Sequence, residues 1–384
     1  MKKKIIPFIL SAALALNICF TANAEESGEV ALGTSKAAIA IECSTGQVLY
    51  EHNAHERLPM ASVTKLMSLL IFAEEISAGR LDFDDTVTCT AHANSMDGSV
   101  IWLETGEQLT AGELLKSVVI ASANDACVAL AEHVSGTEEA FVEKMNQHAA
   151  DLGMSDTHYV NCVGYDNEQH YTTAYDTALL CAEISQYDYY NGFFNTRLDY
   201  VREGERQTQL LNTNKLMNYY SGLIGGKTGT TDNAGCCLAV WARRSDMTVA
   251  AVELGCGQDS ERFDVCESLL DYSFAGFEMF RPTVDSSKLT PIPVEDGTEK
   301  QVDVRVKKLV SAVVPRGSAR NIEYSYTLSE GLEAPVAYGQ TVGRMTAVLD
   351  GEEIFASEIV TVYNVEELTF WKSLLIILAQ IFSM

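Results

Sequence analysis

An apolar run directly behind Ser62 constrains the fold of this chain more than any other feature. From Val63 to Phe72 the sequence is apolar on nearly every face of a helix, which is typical of a helix buried in the middle of a domain. Pro59 ends the segment before it, so we expect Ser62 at the N-terminus of this central helix. Lys65 follows one turn later, on the same helix face as Ser62.

Two further motifs follow Ser62-Val63-Thr64-Lys65 at a distance along the chain. Ser122-Ala123-Asn124 falls between the helical patterns Leu114 to Val119 and Ala126 to His133. Lys227-Thr228-Gly229 lies in a glycine-rich strand pattern. Each motif alone is weak, but in this order they supply a nucleophile, a basic partner, a proton relay and an anion clamp. The combination predicts covalent catalysis by a serine.

Covalent catalysis at Ser62 requires a group that accepts the proton of its hydroxyl. Lys65 can accept it when neutral, and burial beside a second cation, Lys227, would lower the pKa of Lys65 in that direction. Ser122 can pass the proton onward, and the Asn124 amide can orient Lys65 or a substrate carbonyl. We therefore expect these four side chains to surround Ser62.

The strand around Lys227 offers groups that can hold a substrate. Lys227, Thr228 and Thr230 can meet an anionic group, most simply a C-terminal carboxylate. Gly229 lets a substrate backbone lie close to the strand. The backbone N–H groups of Ser62 and Thr230 can together stabilise a developing oxyanion.

Each motif also has a purely structural interpretation. A serine that opens a helix is most often an N-cap, and Ser122-Ala123-Asn124 alone is most often a turn between helices. Arg262 can either cap its own helix or act as a second partner of a substrate carboxylate. Gly226-Lys227-Thr228 is similar to part of a phosphate loop, but it leads into a strand instead of a helix, which argues against nucleotide binding.

The alternation of the remaining segments predicts a mixed α/β fold with an antiparallel sheet. Lys36 to Cys43 and Val48 to Glu51 form a β-hairpin pattern, and helical patterns dominate between about 73 and 185. Arg262 to Phe280 has the pattern of a closing helix. An antiparallel meander buried on both faces is predicted from three strand patterns: Gly225 to Thr231, Cys236 to Ala242 and Met247 to Leu254.

Targeting and boundary signals divide the chain into four segments. Residues 1–24 have three lysines, an apolar stretch and a small-x-small cleavage pattern, as in a secretory signal peptide. Residues 30–281 form the predicted catalytic domain, and short alternating runs in 286–363 predict a small all-β domain. Residues 366–384 have the pattern of an amphipathic helix that lies on a membrane surface; a short spanning helix is the alternative.

Composition excludes several classes of protein. Removing residues 1–24 takes away three lysines and no acidic residue, so the formal charge falls from −26 to about −29. Such a surface repels nucleic acid. Nine cysteines follow the signal segment, mostly inside apolar runs and without zinc-finger spacing, so we expect buried thiols and not a disulfide framework. Neither a metal nor a cofactor is expected.

The chain resembles the low-molecular-mass penicillin-binding proteins, which are serine-type D-alanyl-D-alanine carboxypeptidases of bacterial walls. The resemblance covers nearly the whole length and is carried by these segments: TGQVLY at 45–50, GSVIWLETG at 98–106, IASANDA at 120–126, GMSDTHYVN at 153–161, YTTAYDTAL at 171–179, NTNKL at 212–216 and GGKTGTTD at 225–232. It implies the fold of the penicillin-recognising enzymes, in which helices and a helical subdomain flank an antiparallel sheet, followed by a β-domain and a C-terminal anchor.

The resemblance also implies a substrate, inhibitors and roles. The substrate is the peptidoglycan pentapeptide ending in D-Ala-D-Ala, β-lactams are covalent inhibitors, and the enzyme lies at the outer face of the cytoplasmic membrane. The implied roles are as follows: Ser62 is the acylated nucleophile, Lys65 its base, Ser122 and Asn124 the second element, Lys227 and Thr228 the carboxylate site, and Arg262 a carboxylate-binding arginine.

Two other functions compete with this one. A class A-type β-lactamase needs a carboxylate to activate the deacylating water, and the stretch His158 to Asn161 offers no well-placed glutamate. A non-catalytic protein that only recognises wall peptides would have little need of an intact Ser62, Lys65 and Lys227. We therefore expect a carboxypeptidase.

Overall fold

The structure, a computed structural model, describes residues 29–374 of the chain. The predicted signal peptide at 1–24 lies outside these residues, and so do residues 375–384 of the predicted C-terminal helix. The chain divides into two compact units, one ending at Phe277 and the other beginning at Glu278.

A five-stranded antiparallel sheet forms the centre of the first unit. The strands of this unit are β1 (Ala37–Glu42), β2 (Val48–His52), β3 (Thr86–Thr88), β4 (Gln108–Thr110), β5 (Leu198–Val201), β6 (Thr208–Leu211), β7 (Leu223–Thr231), β8 (Gly235–Arg244) and β9 (Met247–Cys256). The central sheet has the order β2-β1-β9-β8-β7, while β3 pairs with β4 and β5 with β6. Strand β7, which contains Lys227, is therefore an edge strand.

Helices cover this sheet and form a layer beside it. They are α1 (Lys65–Ser77), α2 (Ala91–Asn94), α3 (Ala111–Ala121), α4 (Asn124–Ser135), α5 (Glu138–Asp151), α6 (Ala174–Ile184), α7 (Asn191–Phe194) and α8 (Glu261–Gly276). Both α6 and α8 pack against β1, β8 and β9. All six residues of β1 are buried, as expected for a strand that is covered on both faces.

Helix α1 is the predicted central helix, and its burial is confirmed. Leu66, Leu70 and Phe72 are fully buried, and the helix packs against α4, α5 and α6. Its start differs from the prediction, because residues Ala61–Thr64 form a separate 3-10 turn and the α-helix begins at Lys65. Ser62 therefore lies in a tight turn in front of the helix.

The predicted closing helix is shorter than the sequence pattern suggests. Helix α8 ends at Gly276, and Phe277–Phe280 form strand β10. Aromatic residues favour strands, and both phenylalanines at the ends of β10 are buried. The apolar pattern continues across this junction, which is why the sequence alone gives one long helix.

The second unit is built from strands. They are β10, β11 (Ile292–Glu295), β12 (Gln301–Val302), β13 (Val304–Val306), β14 (Ala312–Pro315), β15 (Glu323–Leu328), β16 (Leu332–Glu333), β17 (Thr341–Leu349) and β18 (Glu352–Thr361). They form sheets of the orders β10-β14, β12-β11-β16 and β13-β18-β17-β15. The predicted mixed α/β fold with an additional C-terminal β-domain is confirmed.

The chain that follows β18 forms backbone hydrogen bonds with the second unit as far as Leu368. Thr298 donates a backbone hydrogen bond to Glu366, and Leu368 donates one to Asp296. Phe370 and Trp371 follow with 74% and 71% of their surface exposed. Within residues 29–374, no helix is both long and apolar enough to cross a bilayer.

Candidate active site

Ser62 and Lys65 contact each other at the junction of the 3-10 turn and α1. Lys65 Nζ donates hydrogen bonds of 2.8 Å to Ser62 Oγ and 2.8 Å to the carbonyl oxygen of Val163. Lys65 is fully buried, and this burial lowers the pKa of its ammonium to about 8. The side chain can therefore lose its proton near neutral pH while it remains in contact with the serine.

The turn that presents Ser62 is held in an unusual backbone conformation. Ala61 has a φ of +48°, a region that residues with a side chain rarely adopt. Thr64 Oγ1 donates a 2.8 Å hydrogen bond to the carbonyl oxygen of Ala61 and lies 2.7 Å from His170 Nε2. The backbone N–H of Val160 donates to His170 Nδ1, so the Nε2–H of a neutral imidazole donates to Thr64.

The environment of His170 keeps this imidazole neutral. Burial lowers the pKa of His170 to about 4. Its contacts are structural, because it reaches Thr64 and not Ser62. It holds the turn that carries Ser62.

Two glycines let other segments approach the backbone around Ser62 closely. A Cβ at Gly229 would lie 2.7 Å from the carbonyl oxygen of Met60 and 3.0 Å from the nitrogen of Ser62. Gly164 has a φ of +99°, and a Cβ there would lie 1.9 Å from the carbonyl oxygen of Ala61. Any other residue at these positions would collide with the backbone around Ser62.

The second motif lies between α3 and α4, as predicted, and contributes two buried atoms without a partner. Ser122 has a φ of +60° at the end of α3, a strained conformation that is common at functional sites. Ser122 Oγ and Asn124 Oδ1 are buried and have no hydrogen-bond partner among the described residues. Asn124 Nδ2 donates to the carbonyl oxygen of Asp97 at 2.7 Å. The carbonyl of Val163, and not Asn124, orients Lys65.

The third motif places Lys227 inside the edge strand β7. Lys227 Nζ donates to the carbonyl oxygen of Thr228 at 2.9 Å, and Thr228 Oγ1 donates to Thr213 Oγ1 at 2.7 Å. Burial, followed by repulsion from Lys65 and Arg262, holds the pKa of Lys227 well below its usual value. The two lysines therefore lie close enough to repel each other, but the lowered pKa of Lys65 comes from its burial and not, as expected, from Lys227.

Arg262 joins the third motif from helix α8. Its NH1 donates to the carbonyl oxygen of Gly229 at 2.9 Å and to Thr230 Oγ1 at 2.9 Å, and its NH2 forms an ion pair with Asp259. Only 5% of the arginine is exposed. Its guanidinium contacts β7, so the structure favours a place beside the candidate anion site over a helix cap.

Two parts of the chain match models of known protein families. Residues 22–257 match the model described as D-alanyl-D-alanine carboxypeptidase. The chain belongs to this carboxypeptidase family. In this carboxypeptidase, residues 277–367 match a second model, described as the C-terminal domain of penicillin-binding protein 5.

Curated relatives carry the same name over nearly their whole length. D-alanyl-D-alanine carboxypeptidase DacF of Bacillus subtilis is 35% identical over 363 residues, which cover 93% of this chain and 93% of the relative. DacC of Escherichia coli is 33% identical, with 90% of this chain and 87% of the relative covered. The predicted assignment as a serine-type D-alanyl-D-alanine carboxypeptidase is confirmed, and the β-lactamase alternative is not favoured.

Solved structures support the same fold. Penicillin binding protein 5 from Haemophilus influenzae has a TM-score of 0.78 and 27% identity, covering 87% of this chain and 98% of that chain. Penicillin-binding protein D2 from Listeria monocytogenes, in its ampicillin-bound form, has a TM-score of 0.56 and 28% identity, covering 63% of this chain and 98% of that chain.

Sequence reasoning gave no role to several groups that shape the candidate active site of this carboxypeptidase. They are the carbonyl groups of Asp97 and Val163 and the side chains of Tyr165, His170 and Thr213. A backbone carbonyl has no sequence signal. The segments GSVIWLETG and NTNKL were the available signals for the neighbourhoods of Asp97 and Thr213.

Proposed function

We propose that this carboxypeptidase removes the terminal D-Ala from peptidoglycan stem pentapeptides through an acyl-enzyme on Ser62. The observation that carries the proposal is the 2.8 Å hydrogen bond between Lys65 Nζ and Ser62 Oγ. A lysine with a pKa of about 8 can serve as the general base that a serine nucleophile needs. β-Lactams would acylate the same oxygen.

Acylation would begin with a neutral Lys65. Lys65 takes the Ser62 proton as Oγ attacks the carbonyl carbon of the penultimate D-Ala. The backbone N–H groups of Ser62 and Thr230 stabilise the resulting oxyanion. The peptide bond then breaks, the proton returns to the leaving amine, and free D-Ala departs. Water later hydrolyses the ester and regenerates the Ser62 hydroxyl.

In the described part of the chain, Ser122 and Asn124 each have an unpaired atom, one suited to relaying a proton and the other to binding the substrate backbone. The buried Ser122 Oγ has no partner among the described residues, so it can relay the proton from Lys65 to the leaving nitrogen. Because Asn124 Nδ2 already bonds the carbonyl of Asp97, its unpaired Oδ1 is left to accept a substrate N–H. An unsatisfied buried acceptor costs energy unless a ligand pairs with it.

The substrate carboxylate would bind at the third motif. Lys227, Thr228, Thr230 and Arg262 converge there, and a bound anion would offset the mutual repulsion of the two cations. Strand β7 is at the edge of its sheet, so an extended peptide can pair with it as an additional strand. Gly229 keeps the space between this strand and Ser62 free of a side chain.

The test of this proposal is a comparison of wild type with Ser62→Ala. Wild type is expected to release D-Ala from a peptide ending in D-Ala-D-Ala and to bind a fluorescent penicillin covalently. Ser62→Ala should lose both signals, whereas Ser185→Ala, which changes a serine at the end of α6, should keep both. Penicillin labelling of Ser62→Ala at the wild-type level would assign the nucleophile to another residue.

The proposed location is the outer face of the cytoplasmic membrane, with the C-terminal segment on the membrane surface. Phe370 and Trp371 are neighbouring exposed aromatic residues with ring centroids 5.6 Å apart, and aromatic residues are enriched at membrane interfaces. The predicted anchor was 366–384, but Glu366 and Leu368 bond to the β-domain. The anchor proposed here therefore begins at Phe370.

Deleting residues 370–384 is expected to release the enzyme from membranes without loss of D-Ala release, because the deletion removes no residue of the strands that build the second unit, the last of which ends at Thr361. Cell fractionation followed by an assay of D-Ala release measures both properties. Phe370→Ala combined with Trp371→Ala should weaken the attachment, since it removes the exposed rings. A truncated enzyme that stays in the membrane pellet would place the anchor elsewhere.

A further inference from the structure

A cavity separate from the Ser62 site opens beside the loop that carries Trp102. Its volume is about 480 Å³, a size typical of sites for small ligands. Two segments build it: the loop that contains residues 97–103, and the connection between β5 and β6. The principal lining residues are Ile101, Trp102, Arg202, Arg206, Gln207 and Gln209.

Both segments that line the cavity are linked by hydrogen bonds to motifs of the candidate active site. The loop contacts the second motif, since Asn124 donates to the carbonyl oxygens of Asp97 and Ser99. The hairpin of β5 and β6 ends at Leu211, two residues before Thr213, which accepts a hydrogen bond from Thr228 of the third motif. The two segments that line the cavity therefore also contact the second and third motifs.

Trp102 is the unusual residue of this cavity. Its surface is 70% exposed and its φ is +57°, a conformation that is unfavourable for a bulky residue and is frequent at ligand sites. Arg206 and Arg202 stabilise it by donating hydrogen bonds to the Trp102 carbonyl oxygen, at 3.0 and 3.4 Å. Within residues 29–374 no hydrogen bond or ring contact occupies the indole, so its faces are free to bind.

The two arginines of the cavity are outnumbered by carboxylates, because Glu205 also lines it, in addition to their partners Glu104 and Glu107. Arg202 Nε lies 2.5 Å from Glu107 Oε1, and Arg206 NH1 lies 3.2 Å from both Glu104 and Glu107. Both guanidinium groups are therefore already paired with carboxylates, so an anionic ligand would gain little binding energy from them. The carboxamides of Gln207 and Gln209 remain as neutral donors and acceptors.

We propose that this cavity binds a neutral sugar ring of the N-acetylhexosamine class, belonging to the glycan strand that carries the stem peptide. The apolar face of a pyranose packs on an exposed indole, and its hydroxyl and acetamido groups pair with carboxamides. The choice of this glycan rests on the proposed function. Glycan and peptide are parts of one molecule, so contact at the cavity raises the effective concentration of the peptide at Ser62.

The kinetic test compares a short substrate with a glycan-linked one on the full-length enzyme. The short substrate is diacetyl-L-Lys-D-Ala-D-Ala, and the long one is a disaccharide pentapeptide. For Trp102→Ala we expect D-Ala release from the short peptide at the wild-type KM and a KM for the disaccharide pentapeptide raised about tenfold. Gln209→Ala should raise the second KM less. Tyr219→Ala removes a different aromatic side chain, 57% exposed, and is the matched control that should change neither.

A binding titration tests the cavity without the reaction. Peptide-free glycan strands and chitotetraose should both quench the fluorescence of wild-type enzyme, and the quenching should disappear in Trp102→Ala. An equal KM increase for both substrates, or an unchanged KM for both, would overturn the proposal. Wild-type enzyme that binds glycan but releases no D-Ala from either substrate would instead refute the proposed function and leave the sugar site standing.

Discussion

Replacing Lys65 with alanine is expected to slow the acylation of Ser62 by about a hundredfold to ten-thousandfold, the usual effect of losing a general base. The reason is the direct contact of Lys65 Nζ with Ser62 Oγ. The rate of labelling by a fluorescent penicillin measures acylation, and the thermal midpoint checks that the variant is folded. Lys144→Ala, which removes a lysine paired with Glu75, is the matched control and should label normally.

The pH dependence of acylation tests the protonation state of Lys65. Burial lowers the pKa of Lys65 to about 8, so its neutral, proton-accepting form increases as the pH rises through that value. The acylation rate of wild type should therefore rise between about pH 7 and 9, whereas the residual rate of Lys65→Ala should not follow this curve. A variant that acylates at nearly the wild-type rate would remove lysine from the mechanism.

The second large effect is a difference between two acyl-enzymes. We expect repeated D-Ala release from a peptide ending in D-Ala-D-Ala, but a penicilloyl group that stays on Ser62 at least about a hundredfold longer, because a water molecule that is kept from the ester loses the help of a general base, which is worth at least that factor. After peptide cleavage the free D-Ala diffuses away and water reaches the ester. After penicillin attack the leaving amine remains tethered to the acyl group and obstructs water.

The surroundings of Ser62 give the physical reason for slow penicillin hydrolysis. Within the described chain, no carboxylate forms a hydrogen bond with Ser62, Lys65 or Ser122. Asp125 is occupied by the backbone N–H groups of Ile101 and Leu103. Water activation is thus left to Lys65 and Ser122.

Both rates are measured on one enzyme preparation. Mass spectrometry follows the penicilloyl adduct, and an amino-acid assay follows D-Ala. Ser62→Ala supplies the background for both measurements. Rapid multiple turnover of penicillin with little release of D-Ala would reverse the assignment in favour of a β-lactamase.

The sequence predicted the helices and strands whose apolar residues follow a clear pattern. The meander β7 to β9 and helix α1 agree with their predicted positions to within a few residues, because continuous apolar runs interrupted by turns specify buried strands and helices. The spacing of Ser62 and Lys65 predicted that the two side chains lie together, and they share a 2.8 Å hydrogen bond. The hydrophobic pattern suffices to predict these strands and this helix because it depends only on residues that are close together along the chain.

Contacts between residues far apart along the chain could not be predicted from the sequence. The 3-10 turn at Ala61–Thr64 depends on His170, which lies more than a hundred residues away and contacts Thr64. The backbone carbonyl of Val163 accepts a hydrogen bond from Lys65, and the identity of the valine side chain gives no indication of this contact. The left-handed backbone of Trp102 depends on two arginines in a distant hairpin. Each of these features is created by tertiary packing.

The nine cysteines of the described chain bear on how the enzyme reaches its folded state after export. All nine are free thiols, and all except Cys43 are buried. Burial raises the pKa of Cys181 and Cys266 well above the usual value, so the folded enzyme resists oxidation at these positions. The nascent chain has no such protection, because every thiol is exposed to oxidants until the core closes. Efficient maturation therefore demands either an envelope poor in oxidants or folding that is faster than disulfide formation.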